Sequence, residues 1–213
     1  MPPQTLVLIG DSILDNAPYT NPLPDTAQHL RELMAPAWSV ERLAEDGAIM
    51  SSVKGQLVRL GEMPAAAVLS IGGNDATAHI DLLDRATSNS GDVLDELMTI
   101  TDDFGRRYGK VAKAVADRAG RTILCTIYEA RLEPSRYARL ARAPLALLND
   151  QIIRTGAALG LDILELRSVC TEADDFVLQI EPSPQGARKI AEAIAAVLNG
   201  AGEHFNSGRL FSA

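Results

Sequence analysis

The chain has 213 residues, 46% of them hydrophobic, which is enough to bury the core of one α/β domain. A formal net charge of -8 repels phosphate backbones and anionic headgroups, so neither nucleic acid nor a membrane surface is an expected partner. Residues 1–10 carry no basic stretch and only a short apolar run, and Cys125 and Cys170 share no metal-like spacing, so a cytoplasmic protein with two reduced thiols is expected.

Short apolar runs bounded by turn residues recur at 5–9, 38–43, 66–71, 122–127 and 163–166, and they predict five strands. Helical periodicity lies between them, most clearly at Leu97, Ile100, Phe104, Tyr108, Val111 and Val115, a stripe expected to pack on a sheet. Strands alternating with helices predict a three-layer α/β/α sandwich around a five-stranded parallel sheet, with chemistry at the carboxyl ends of the strands.

Residue types able to do chemistry stand just past successive strand ends. After the first comes Gly10-Asp11-Ser12, where a glycine permits a sharp turn and leaves a hydroxyl nucleophile at the sheet edge. It is not the Gly-x-Ser-x-Gly elbow, because Leu14 holds the second glycine's place. Asp15, Asn16 and Tyr19 follow closely and are candidate substrate contacts, set against ordinary turn bonding.

After the second strand, Glu45-Asp46-Gly47-Ala48 offers the Gly47 N–H as an oxyanion donor. After the third, Ser70-Ile71-Gly72-Gly73-Asn74-Asp75 offers the Asn74 amide. His79 lies just past this segment, and Tyr128 ends the fourth strand at the same edge; both are candidate substrate contacts. The acid pairs Asp102-Asp103 and Asp174-Asp175 have no histidine or cysteine beside them, and no metal or other cofactor is expected.

The last helix is well marked. Ser183 caps it, Pro184 suits its first turn, Ile190, Ile194, Val197 and Leu198 form its stripe, and Gly200 ends it. The expected domain is 1–200, with 201–213 as a loose tail.

In their order after successive strands, Gly10-Asp11-Ser12, Gly47 and Gly72-Gly73-Asn74-Asp75 resemble blocks I, II and III of the SGNH (GDSL) hydrolases. The resemblance implies the flavodoxin-like fold of that family, Ser12 as nucleophile, and an oxyanion hole from the Ser12 N–H, the Gly47 N–H and the Asn74 side chain. It also implies a small ester, thioester or acylated substrate. The sequence departs from the family at block V, an Asp-x-x-His before the last helix. Glu181 stands at the histidine's place and Leu178 at the aspartate's.

A glutamate with an ordinary pKa of about 4.3 is a weaker base than imidazole. Apolar neighbours such as Leu178 and Ile180 are expected to bury Glu181 and raise its pKa. Two readings follow: a serine esterase or acylhydrolase with an unorthodox base, or an SGNH-like module that binds an acylated or glycosylated ligand without turnover. A nucleotide or phosphate binder of flavodoxin type is disfavoured, because no Lys or Arg accompanies residues 10–16.

Overall fold

The computed structural model describes residues 2–200 and 210–211. In chain order its strands are β1 (Gln4–Gly10), β2 (Trp38–Arg42), β3 (Ala66–Ser70), β4 (Thr122–Cys125), β5 (Asp162–Leu164), β6 (Phe176–Val177), β7 (Glu181–Pro182) and β8 (Leu210–Phe211). The α-helices are α1 (Ala17–Thr20), α2 (Thr26–Met34), α3 (Val53–Arg59), α4 (Gly73–Thr77), α5 (Ser90–Ala116), α6 (Ser135–Leu159), α7 (Leu166–Val169) and α8 (Pro184–Leu198).

All five expected strands form, and they pair in parallel in the order β2-β1-β3-β4-β5. β8 adds a short sixth strand, parallel to β5. It falls in the stretch expected to be tail, so Leu210 and Phe211 correct that expectation; the rest of 201–213, apart from these two, lies outside the described residues.

Alternation along β1 divides the core. Leu6 and Leu8 face one layer with Ala27 and Leu30 of α2 and Ile190 and Ile194 of α8. Val7 and Ile9 face the other, with Val53 of α3, Tyr108 and Val115 of α5, and Ile152 of α6. Period-two strands thus meet period-3.6 helices on both sides, the arrangement that buries a parallel sheet.

The long stripe of α5 divides its work. Phe104, Tyr108 and Val115 are buried under the sheet, whereas Leu97 and Ile100 line a cavity beyond the sheet edge. At α8 the Ser183 side chain accepts from the Gly186 N–H at 3.1 Å and Pro184 opens the helix, as its sequence requires. β6 and β7 form an antiparallel hairpin whose tip holds Leu178 at φ 48° and Gln179 at φ 72°.

Candidate active site

Gly10 has φ 135°, and a Cβ there would stand 1.7 Å from the Ser70 carbonyl oxygen on β3. Glycine is therefore required where β1 turns away from the sheet. The buried Gln56 side chain secures the same peptide, accepting from the Gly10 N–H and donating to the Gly10 carbonyl, both at 2.8 Å. Ser12 follows at once, 8% exposed and lining the cavity.

Opposite Ser12, the β6–β7 hairpin delivers Glu181 into the same cavity. Burial raises its carboxyl above the ordinary value; a hydrogen bond from the Ser12 hydroxyl pulls it back, and the nearby Asp46 charge adds to the rise. Its Oε2 is buried and has no hydrogen-bond partner among the described residues. The expected burial is present, but Leu178 does not supply it: that side chain is 75% exposed at the hairpin tip. Ile180 does line the cavity. The difference arises because positions 178–180 form a turn rather than extended chain, which directs Leu178 outward.

Asn74, at the start of α4, also lines the cavity. Its Nδ2 donates to the Ala48 carbonyl at 2.9 Å, which sets it beside the Gly47 turn. Gly47 adopts φ 73°, a left-handed conformation suited to glycine. Among the described residues, neither the Ser12 nor the Gly47 N–H is taken by a hydrogen bond. The next residue, Asp75, has a role that its sequence context does not mark. It accepts from the Met50 N–H at 2.9 Å and pairs with Arg107 of α5 at 2.8 Å. Neighbouring side chains of α4 thus grip the loop that carries Gly47 at two points.

Asp11 is the other residue whose weight the sequence understates. It is 2% exposed, and burial pushes its carboxyl up to about 8, with a hydrogen bond from the Ile13 N–H lowering it and the Glu181 charge raising it. Asp11 and Glu181 are thus two acids facing one cavity, the Glu181 charge disfavouring ionisation of Asp11.

Three expected substrate contacts are occupied elsewhere. Asp15 pairs with Arg42 at 2.7 Å and accepts from the Asp46 N–H at 3.0 Å. Asn16 is fully buried, accepting from the Thr26 N–H at 3.0 Å and donating to the Pro182 carbonyl at 3.5 Å. Tyr19 donates to Asp46 at 2.8 Å, and its pKa is raised to about 12, chiefly by burial and by that bond. None of the three lines the cavity, because short polar side chains in a tight turn satisfy nearby backbone and charged groups first. Their service is to fix the Ser12 loop against its neighbours.

His79 and Tyr128 do line it. The Tyr128 hydroxyl is spent on the Ile180 carbonyl at 2.5 Å, and its ring meets Phe176 edge-on at 5.0 Å, so the tyrosine also holds the Glu181 hairpin in place. The cavity measures about 160 Å³. Beyond its polar end, the wall is largely aliphatic, with Leu83 from a 3-10 turn (Ile80–Asp84), Leu97 and Ile100 from α5, and Leu145 and Leu148 from α6. Among the described residues, no group of three or more His, Cys, Asp or Glu side chains is arranged to hold a metal ion. No helix among them is long and apolar enough to cross a membrane.

No family model matches the sequence, and no curated protein does. Solved structures match over nearly the whole chain. Phospholipase A1 from Streptomyces albidoflavus NA297 has TM-score 0.69 at 15% identity, covering 93% of this chain and 99% of its own. The lipase/acylhydrolase from Enterococcus faecalis has TM-score 0.64 at 20% identity, covering 92% and 96%. A member of the lipolytic G-D-S-L family from Veillonella parvula DSM 2008 has TM-score 0.63 at 15% identity, covering 91% and 96%. The chain therefore has the fold of the G-D-S-L lipolytic proteins, the family its sequence blocks resemble.

Proposed function

We propose that this protein is a serine ester hydrolase of SGNH type, with Ser12 as nucleophile and Glu181 as the base in place of histidine. The observation that carries this reading is the convergence of Ser12, Asn74 and Glu181 on the polar end of an otherwise apolar cavity. As Ser12 Oγ bonds to the ester carbonyl carbon, its proton passes to Glu181 and the carbonyl π pair moves onto oxygen. Asn74 Nδ2, the Gly47 N–H and the Ser12 N–H are the donors assigned to that oxyanion. Collapse breaks the ester C–O bond, and the leaving alkoxide takes the proton from Glu181. Water then attacks the acyl-enzyme, giving up a proton to Glu181, which returns it to Ser12 as the acid departs.

A volume of about 160 Å³ resembles that of an apolar cavity that accepts benzene, so the acyl or alkyl group fits at about six carbons. Hydrolysis of a p-nitrophenyl ester series tests this. The rate is expected to peak near hexanoate and to vanish in Ser12→Ala; a rate insensitive to Ser12 contradicts the assignment. Both cysteines being free and buried accords with a reducing, cytoplasmic setting.

A second reading, a ligand-binding module without turnover, is favoured by one observation: the acid facing Ser12 across the cavity is a glutamate, ordinarily a weaker base than imidazole. It predicts tight retention of an acylated or glycosylated ligand and no acyl-enzyme.

A further inference from the structure

The loop that carries Gly47 has its backbone N–H groups almost fully committed. The Glu45 N–H donates to the Gly10 carbonyl at 3.0 Å, Asp46 to the Asp15 carboxylate at 3.0 Å and Ala48 to the Glu45 carbonyl at 3.1 Å. The Ile49 N–H donates to the Ser52 hydroxyl at 3.2 Å, and Met50 to the Asp75 carboxylate at 2.9 Å. From Glu45 to Met50, the Gly47 N–H alone has no acceptor among the described residues. A loop bonded on both sides of a free donor holds that donor still, which is what a preorganised oxyanion contact requires.

Two of these acceptors are aspartates from outside the loop, and an arginine backs each. Asp15, in the Ser12 loop, pairs with Arg42 at the end of β2 at 2.7 Å. Asp75, on α4 and 6% exposed, pairs with Arg107 of α5 at 2.8 Å. Pairing matters for two reasons. A charged acceptor makes a hydrogen bond roughly twice as strong as a neutral one, so a carboxylate is a firm anchor for an N–H. A bare aspartate beside an oxyanion site would oppose the charge that develops there, whereas a paired arginine offsets that field.

We infer that Arg107 and Arg42 are positioning residues: through Asp75 and Asp15 they clamp the loop on either side of Gly47 and fix the place of its N–H. Neither arginine lines the cavity, so each acts through its aspartate and the loop backbone. Each guanidinium is itself held from a second direction, Arg107 by Asp103 at 2.8 Å and Arg42 by Asp25 at 2.9 Å.

The effect on turnover rests on the hydrolase reading; the clamp does not, and the test separates them. Amide hydrogen exchange, followed residue by residue by NMR, reads the clamp without turnover, and p-nitrophenyl ester kinetics read its consequence. Arg107→Met removes the charge and keeps an unbranched side chain. It is expected to speed exchange of the Met50 N–H by about ten-fold or more, while β3 amides exchange as in wild type. The kcat should fall by about 10- to 100-fold with KM within about two-fold, because a displaced donor is missed mainly in the transition state. Arg42→Met should act likewise on the Asp46 N–H. Arg106→Met is the control: this neighbour on α5 pairs with Asp103 at 2.8 Å and should change neither readout. Unchanged exchange at Met50 in Arg107→Met, or faster exchange there with kcat unchanged, overturns the inference. Faster exchange in a protein whose wild type neither hydrolyses esters nor labels at Ser12 upholds the clamp and faults the hydrolase reading alone.

Discussion

Ser12, just past the end of the first strand, and Glu181, on the β6–β7 hairpin, face one cavity, near enough for the hydroxyl to act on the carboxyl. A serine placed this way has a proton acceptor at hand, and the acceptor works only when ionised. Burial has raised the Glu181 pKa, so ester hydrolysis is expected to rise with pH through a value above the ordinary glutamate range. Glu181→Gln should lower kcat by about 10²- to 10⁴-fold and flatten that limb of the profile. A pH–rate profile of both proteins checks it.

Replacing the weak base by a stronger one should have the opposite effect. Glu181→His sets an imidazole beside Ser12, with Asp11 and Asp46 close enough to act on that position electrostatically. Hydrolysis of p-nitrophenyl acetate near neutral pH is expected to rise by roughly 10- to 100-fold, and the gain should disappear with Ser12→Ala. Adding Leu178→Asp places the new carboxylate at a solvent-exposed hairpin tip, so little further gain is expected.

Asn74→Ala should reduce kcat by about 10²- to 10³-fold with a smaller change in KM, since an oxyanion donor acts mainly on transition-state charge. The amide also holds the Ala48 carbonyl. Steady-state kinetics on a variant with unchanged Tm separates loss of the donor from loss of the fold.

Most of the fold was legible because β1 and β3 are short apolar runs bounded by turns, and α8 carries its own cap, proline and stripe. Ser12 and Asn74 were legible because each follows a strand and a glycine that marks a sharp exit, Gly10 at the end of β1 and Gly72 just past β3. The fates of Asp15, Asn16 and Tyr19 were not, since their partners Arg42, Thr26 and Asp46 are set by tertiary packing. Asp11 was hidden for a related reason: its pKa depends on burial and on Glu181, 170 positions away in a sequence that records neither. Leu178 misled because a three-residue turn, invisible in hydropathy, turns it outward.

Asp11 makes a prediction about stability. Its folded pKa is raised to about 8 from 3.8, so its contribution is fully present below the unfolded value and is lost as pH rises toward about 8, by up to about 1.4 kcal/mol per pH unit. Asp11→Asn keeps an acceptor for the Ile13 N–H and cannot ionise. Urea unfolding at about pH 5 and about pH 8 should show wild type losing stability with pH and the variant losing less of it.

Gly10→Ala tests the strand exit. With the Ser70 carbonyl oxygen 1.7 Å from the added carbon, both strands must shift. A loss above about 4 kcal/mol, or failure to fold, is expected in thermal unfolding. A variant within about 1 kcal/mol of wild type contradicts the geometry of this turn.

The most direct test of the central claim, that Glu181 activates Ser12, is the rate of fluorophosphonate labelling. Wild type should label on Ser12, with a rate that climbs as Glu181 ionises; Glu181→Gln should label at least about 100-fold more slowly, and Ser12→Ala not at all. Equal labelling rates in wild type and Glu181→Gln, or a wild type that does not label, would contradict the account.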